Sequence, residues 1–422
     1  MDFGYHSSMK TAFIRIGLYG LKITLASLAL AGILYILLFS AFGNAVFKPM
    51  IEKKLSTVFN TPITIDTFVL SHNALTLQFH DKPGNTIDVK GQFSLITLNL
   101  HALYHAKVLD TSGLNTIGLP LVTSGSLNGG YGRMIVQGSL NVFDGDVHYR
   151  LQLNRFKPAD AYLLLMGIKY QDLMKWLEYP HQSATLLTGE VDLHGLNHRD
   201  IQGNVTLRTR TQNFSPSKLS DDNSSFDFLS LFTDEKGKIQ PFHLNLTLKT
   251  SVDELGILEQ FAMLPLRGNA NLNAVLVGDQ ERLVLDAHTN IAKSSTRARL
   301  HWKRLRPSYI YLNVAHANAN TLFRLFSLDS PIEGNIDFNA ESTMAKTTAK
   351  LSASNGMTHP DILKRDYHLT QPQTRFNATV SAQALPKVIH YQGSFKSDLA
   401  RIQIDNTTTH QNMLHDLLKA IP

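Results

Sequence analysis

The sequence contains no cysteine among its 422 residues. This excludes structural disulfides, thiolate zinc sites and cysteine nucleophiles, and it is compatible with a bacterial periplasm, where stray thiols are oxidised. Charged residues are also scarce, at 18%, which is below the fraction of roughly a quarter in typical soluble proteins. The net charge of +6 is mild and is not gathered into one basic stripe, so nucleic acid is not an expected partner.

Motifs of common enzyme classes are also missing: the sequence has no His-Glu-x-x-His zinc helix, no Gly-Lys-Ser phosphate loop and no Gly-x-Ser-x-Gly elbow. The glycine-rich stretch 125–132 lacks a following helix, so it indicates a hairpin loop. His101 and His105 have helical spacing, but the alternation before them predicts a strand end with two solvated side chains. Asp221 and Asp222 stand among Ser and Asn, as in an ordinary loop. We therefore predict no catalytic residue, no metal site and no cofactor.

The longest apolar run covers residues 23–42, which carry no charge. At 1.5 Å per residue this run would span the hydrocarbon core of a bilayer, about 30 Å thick. Lys10, Arg15 and Lys22 precede it, and basic residues favour the cytoplasmic side. The run predicts a single transmembrane anchor, with residues 1–22 in the cytoplasm and the bulk in the periplasm.

Two features leave other readings of this segment open. Lys48, Lys53 and Lys54 follow the run and weaken the charge asymmetry. The small residues at 43–45 would suit cleavage of a signal peptide, although the run is longer than the usual apolar region of such peptides.

A short amphipathic helix is predicted over residues 47–60, because Ile51, Leu55 and Val58 recur at helical spacing. Pro49 suits its first turn. The helix would cover the start of a sheet, and the alternative is a helix lying on the membrane surface. A second short helix is predicted over 406–422, as a plug for the sheet or a docking element.

From residue 61 the apolar pattern changes to a period of two, as in 147–154, 243–250 and 336–340. Such alternation is typical of strands with one apolar and one wet face. The sequence therefore predicts a mainly β protein. After the anchor, residues 61–405 would form a long, curved, mostly antiparallel sheet, folded over into a groove and accompanied by a few short helices.

Glycine recurs at the same position relative to the alternation in these strands, in a pattern of apolar, polar, Gly, polar, apolar. Glycine inside a strand often marks a bulge or sharp bend, so a common bend is one interpretation, and ordinary glycine usage near strand starts is the other. The glycines concerned are Gly91, Gly138, Gly189, Gly203, Gly268, Gly334 and Gly393.

Some of these glycine strands follow stretches with a polar start and an apolar stripe, which predict short helices. The predicted helices are 158–167 and 172–177 before Gly189, 253–261 before Gly268, and 320–326 before Gly334.

This arrangement resembles the AsmA-like envelope proteins, which are related to the TamB and bridge-like lipid-transfer group. The resemblance rests on the apolar run at 23–42, the helix ending at 51–55, the segment 61–66, and strands such as 95–100. It implies an inner-membrane anchor, a folded-over sheet with an apolar groove, and a role in lipid transport or outer-membrane maintenance. No catalytic residue belongs to the family pattern. The large members are much longer than this chain.

Two functions follow as hypotheses, and an enzyme is not expected. In the first, the apolar strand face binds phospholipid in envelope biogenesis. In the second, the protein is a structural or assembly factor whose sheet edges dock other envelope proteins. The residues predicted to line the groove are Leu244, Leu246, Leu248, Leu272, Ile336 and Phe338.

The topology can be tested with reporter fusions at residue 220. A reporter that is active only outside the cytoplasm should be active there, because the apolar run follows three basic residues. Cytoplasmic reporter activity at residue 220 would overturn the predicted orientation.

Overall fold

A computed structural model describes residues 30, 32–33, 35, 37, 39–58, 61–81, 84–94, 97, 99–108, 121–176, 184–213, 241–258, 266–343, 345–385 and 388–409. The chain divides into two compact units, Met1–Leu140 and Asn141–Pro422, and each is described by itself. The described part is mainly β, with twenty strands and a few helices.

In the first unit, helix α1 (Ala41–Val58) is followed by strands that pair antiparallel in chain order from β1 to β5. A sixth strand ends just beyond the unit. The strands are β1 (Ile63–Leu70), β2 (Ala74–Asp81), β3 (Thr86–Ser94), β4 (Asn99–Val108), β5 (Leu121–Gly130) and β6 (Met134–Val142).

Helix α1 begins at Ala41, earlier than the predicted start at 47, and it places Pro49 in its interior rather than in its first turn. Its apolar residues Ile51 and Leu55 pack against a buried cluster that includes Ile65. The helix therefore covers the start of the sheet.

The same helix also satisfies backbone groups on the outer edge of β1. The Ile65 N–H donates to Glu52 Oε1 over 2.8 Å, and the Leu70 N–H donates to Asn44 Oδ1 over 3.0 Å. An open strand edge is a template for unwanted pairing, and these side chains cap the edge of β1 instead.

The predicted anchor at 23–42 lies mostly outside the described residues. Those described between 30 and 39 are helical. No helix in the described part of the chain has the length and hydropathy needed to cross a bilayer.

The second unit is a single mixed sheet of fourteen strands, β7 to β20, in which each strand pairs with the next along the chain. The first seven are β7 (Gly145–Asn154), β8 (Lys157–Lys169), β9 (Ala184–His194), β10 (Asp200–Asn213), β11 (His243–Val252), β12 (Ala270–Asp279) and β13 (Arg282–Thr289). The others are β14 (Ser295–Lys303), β15 (Arg306–Asn318), β16 (Ile332–Thr343), β17 (Thr347–Thr358), β18 (Arg375–Ala384), β19 (Val388–Ser397) and β20 (Arg401–Thr409).

These pairings are antiparallel except for β10 with β11, which run parallel from Asp200 beside His243. Parallel neighbours need a crossover of at least about a dozen residues, which the stretch between the two strands provides. The ends of the pair are held by side chains: His243 Nδ1 lies 3.0 Å from Asp200 Oδ1, and Thr209 Oγ1 donates to Asp253 Oδ1 over 2.8 Å.

Three helices accompany this sheet: α2 (Tyr170–Trp176), α3 (Ala319–Leu325) and α4 (Pro360–Tyr367). The first two lie where helices were predicted, and α4 was not predicted. The predicted helix at 158–167 is wrong, because these residues belong to β8. The one predicted at 253–261 is reduced, in its described part, to a short 3-10 turn at Leu255–Leu258.

The predicted C-terminal helix at 406–422 is wrong in its first residues, because β20 continues to Thr409. Thr407 pairs with His390 and Thr408 with Ile389 of β19. Residues 410–422 lie outside the described part.

The seven pattern glycines fall into distinct settings. Gly334 has a φ of +120° and lies at a register shift between β16 and β17, so it is a bulge glycine. Gly268 has a φ of +94° but precedes β12 rather than lying within it. The remaining five lie within strands, and one of them, Gly189, faces the register shift of β8 between Leu165 and Ile168. The other four show no register shift where their pairing is described: Gly91, Gly138, Gly203 and Gly393.

Gly334→Ala should lower the free energy of unfolding by about 1–2 kcal/mol, because an L side chain is strained at that φ and its Cβ would lie 2.9 Å from two carbonyl oxygens. Gly393→Ala is the matched control, since its Cβ would meet its neighbours at 3.8 Å without positive φ. Urea unfolding measures both variants. Equal effects at the two positions would show that the bulge does not depend on glycine.

Candidate functional site: a continuous apolar sheet face

The apolar residues of the second unit lie on one face of its sheet. Residues paired in register point to the same side, so each pairing carries the face to the next strand. One row runs from Leu246 through Leu276, Leu285, Leu300 and Ile310. It crosses five strands without meeting a charged or polar side chain.

A second row begins at Val314 and passes through Phe338, Leu351 and Val380, then reaches Ile404 by way of Gly393. It covers the last six strands, up to β20.

The same side continues toward the start of the unit, across the parallel pair. Leu248 pairs with Val205, Val205 with Val191, Val191 with Leu163, and Leu163 with Tyr149. We call this side, from β7 to β20, the apolar face.

All six residues predicted to line a groove belong to the apolar face. Leu246 and Leu248 on β11 are half-buried, as are Leu272 on β12 and Phe338 on β16. The other two are buried in separate clusters. Leu244 is 1% exposed beside Phe242 and Leu283, and Ile336 is buried among the short helices. The six residues therefore share a face but do not form one contact cluster.

The middle of the apolar face retains large exposed side chains. Ile310 is 44% exposed, Leu351 45% and Val380 42%. None of these three was predicted to line the groove, although the alternation around each of them in β15, β17 and β18 was visible in the sequence. A closed core would bury such residues, so this part of the face is open.

At each end of the strands, a cluster of buried residues covers the apolar face. At one end Phe242, Leu244 and Leu283 pack with Trp302 and Leu305. At the other end the cluster combines α2, α3 and the turns at 255–258 and 291–293 with strand residues.

Tyr170 anchors this second cluster. Its hydroxyl donates to the Ile257 carbonyl over 3.1 Å, and burial raises the pKa of Tyr170 to about 12. The short helices thus cover one end of the apolar face and leave its middle uncovered.

The opposite face carries mostly polar and charged side chains, together with the exposed Val275 and Val277. Asp286 accepts hydrogen bonds from Arg297 Nη2 at 2.6 Å and Arg299 Nη2 at 2.8 Å, with both arginines on the next strand. The bonds from Arg297, followed by those from Arg299, hold the pKa of Asp286 well below its usual range, although burial alone would raise it. Charged side chains such as these favour contact of this face with water.

Of the polar residues singled out in the sequence, the structure describes the two histidines. His101 and His105 lie within β4, both exposed, and His101 Nδ1 lies 3.1 Å from Asn128 Oδ1. Asp221 and Asp222 lie outside the described residues. Within the part of the chain that the structure describes, no group of three His, Asp or Glu side chains could hold a metal ion.

No family model matches this chain, and no curated protein or solved structure matches it. The apolar face is therefore interpreted from its own residues.

Asp286→Asn should lower the free energy of unfolding by about 1–2 kcal/mol at pH 7, because it leaves Arg297 and Arg299 side by side without a counter-charge. The folded-state pKa is depressed, so the contribution is fully present above the unfolded value of about 3.9, begins to fall below that value, and is lost only as pH falls through the much lower folded-state pKa. The difference from wild type in urea unfolding should therefore shrink at pH 3.

Glu281→Gln is the control, because its ion pair with Arg304 is exposed and should contribute no more than about 0.5 kcal/mol. If Asp286→Asn lost the same stability at pH 3 as at pH 7, the effect would come from packing and not from charge.

Proposed function

We propose that the apolar face binds the acyl chains of phospholipids, and that the protein handles lipid in the bacterial cell envelope. In this proposal residues 23–42 anchor the chain in the inner membrane, and the sheet lies in the periplasm. The observation that supports it best is the open middle of the apolar face, where Ile310, Leu351 and Val380 remain more than two-fifths exposed.

An open apolar face of this extent is unusual for a soluble protein. Monomers rarely expose contiguous apolar patches above a few hundred Å² unless a ligand, a partner or a membrane meets them. Here the rows continue from strand to strand, with Phe338 beside Leu351 and Leu351 beside Val380. A ligand that is itself long and apolar fits such a surface.

An acyl chain needs no polar partner to bind there. Each buried methylene contributes about 0.8 kcal/mol, so contact along several strands suffices for affinity. The rows contain aliphatic, aromatic and small residues in turn: Leu312 is paired with Ala298 on one side and Ala340 on the other. Alanines between large side chains leave room in which a flexible chain can lie.

The resemblance to AsmA-like proteins agrees with this function. The proposal itself rests on the apolar face. The alternative function is an assembly factor that docks other envelope proteins through its sheet edges, and it predicts no lipid crosslink on the apolar face.

Photo-reactive amino acids at Leu351 and Val380, together with Leu246 and Phe338, should crosslink phospholipid when the full-length protein is irradiated in membranes. The matched controls are Lys350, Ser381, Thr247 and Asn339, which neighbour them on the opposite face. An absence of lipid crosslinks at all of the apolar positions would favour the assembly factor.

Val380→Glu should reduce lipid crosslinking at Phe338 while leaving thermal stability nearly unchanged, because Val380 is 42% exposed and the charge can stay hydrated. Ser381→Glu, on the polar face, should change neither quantity. By contrast, Leu244→Glu should unfold the domain, since Leu244 is buried in the cluster at the closed end. Unfolding by Val380→Glu as well would mean that the face is an ordinary core.

A further inference from the structure

Five hairpin or short turns of the second unit lie at one end of its sheet, as does the partly described turn between β18 and β19, since the strand pairings fix the direction of every strand. The five turns join β7 to β8, β9 to β10, β12 to β13, β14 to β15 and β16 to β17. We call them the basic rim, which comprises residues 154–157, 195–200, 279–282, 303–306 and 343–347.

The basic rim carries a marked excess of positive charge. It contains eight Lys and Arg residues against three Asp and Glu, a net charge of +5. The fully described turns at the opposite end are 142–145, 289–295, 318–332, 358–375 and 397–401, and they contain six basic and five acidic residues. The charge asymmetry therefore belongs to one end of the sheet.

Two turns of the rim share a pattern in which an apolar residue stands between basic ones. Arg155 and Phe156 are followed by Lys157, and Arg304 and Leu305 are followed by Arg306. Phe156 is 61% exposed. Arg155, Lys157 and Lys303 form no ion pair with any described residue, so their charges are available to a partner.

In these two turns, residues with bulky side chains occupy backbone positions where glycine or asparagine is usual. Arg155 and Phe156 have φ values of 50° and 60°, and Arg304 and Leu305 have values of 51° and 59°. Two consecutive residues with positive φ make a type I′ turn, which normally selects Asn-Gly. Bulky residues in this conformation are strained, and such strain is often found where a side chain has a function.

A turn of the same backbone type at the opposite end has none of these features. Phe143 and Asp144 have φ values of 53° and 54°, but Phe143 is half-buried and Asp144 pairs with Lys169 at 2.5 Å. The turn at 155–156 differs from it in combining an exposed apolar side chain with basic neighbours that form no ion pair with any described residue.

We propose that the basic rim docks on the surface of a bilayer containing anionic phospholipid, with Phe156 entering the interface. Basic side chains near such a surface attract its headgroups, and an adjacent apolar side chain inserts beside them. The turns at 155–156 and 304–305 are separated by seven strand spacings, which is roughly 34 Å along the sheet at about 4.8 Å per strand. That is too far for one small anion but suits an extended surface. This contact is additional to the proposed binding of acyl chains by the apolar face.

The absence of cysteine makes a site-specific test possible. Phe156→Cys, labelled with an environment-sensitive fluorophore, is prepared in the full-length chain and reconstituted into vesicles of phosphatidylcholine with or without phosphatidylglycerol. The emission should shift to the blue only with phosphatidylglycerol, and lipids bearing a quencher should quench it. Any anchoring by residues 23–42 is common to both vesicles, so the difference reports the rim.

Leu399→Cys is the matched control, because Leu399 is 68% exposed in a turn at the opposite end. Its emission should be the same in both vesicles. Adding Arg155→Gln and Lys157→Gln should weaken the response at residue 156 about 25-fold, at about fivefold for each basic side chain. Raising the salt concentration to 1 M should also abolish it, because the Debye length falls to about 3 Å.

Three results would overturn the proposal: no difference between the vesicles at residue 156, an equal response at residue 399, or a response that depends on protein concentration and so reports self-association. A response to nucleic acid without vesicles would assign the rim to that partner instead. Lipid crosslinking at Leu351 is scored separately, so failure at the rim leaves the proposed function standing.

Discussion

The in-register pairing of strands that alternate apolar and polar residues is the constraint on which the rest of this protein depends. Because side chains alternate with a period of two, a slip of one residue at any pairing would turn an entire strand over. The register holds from β7 to β20, and the bulges adjust it where it would drift, as between Val314 and Ala317. The apolar face, its opposite polar face and the placement of the turns all follow from this register.

The strands were the most predictable part of the fold, because each carries its own alternation. The segments 243–250 and 336–340 read as strands from their sequence alone, and their faces were also correct: Leu246 and Phe338 share a side in the structure. What the sequence could not show is which residues of the face are covered. That depends on the short helices and turns at the ends of the strands, which bury Ile336 and leave Leu351 open.

The errors have local causes. In β8 the run from Leu163 to Met166 has no polar interruption, and a short apolar run does not distinguish helix from strand. This run forms a strand because it pairs with β7 and β9, and no local sequence pattern reveals that pairing. At the other end of the chain, an amphipathic pattern favoured a helix from 406, but the ladder to β19 extends the strand to Thr409. The parallel pair β10–β11 was not foreseen either, since alternation is the same for both directions of pairing.

That parallel pair has a consequence for the order in which the sheet assembles. Every antiparallel neighbour in the second unit is joined to the next by a direct connection, so each can form by local contacts, which favour fast folding. The β10–β11 pair instead brings Asp200 beside His243 and must first close the long connection between the strands, at an entropy cost that grows with its length. The β10–β11 pair is therefore expected to form after the antiparallel pairs on either side of it. A chain synthesised from its N-terminus would complete the strands β7 to β10 before β11, which closes the parallel pair, has appeared.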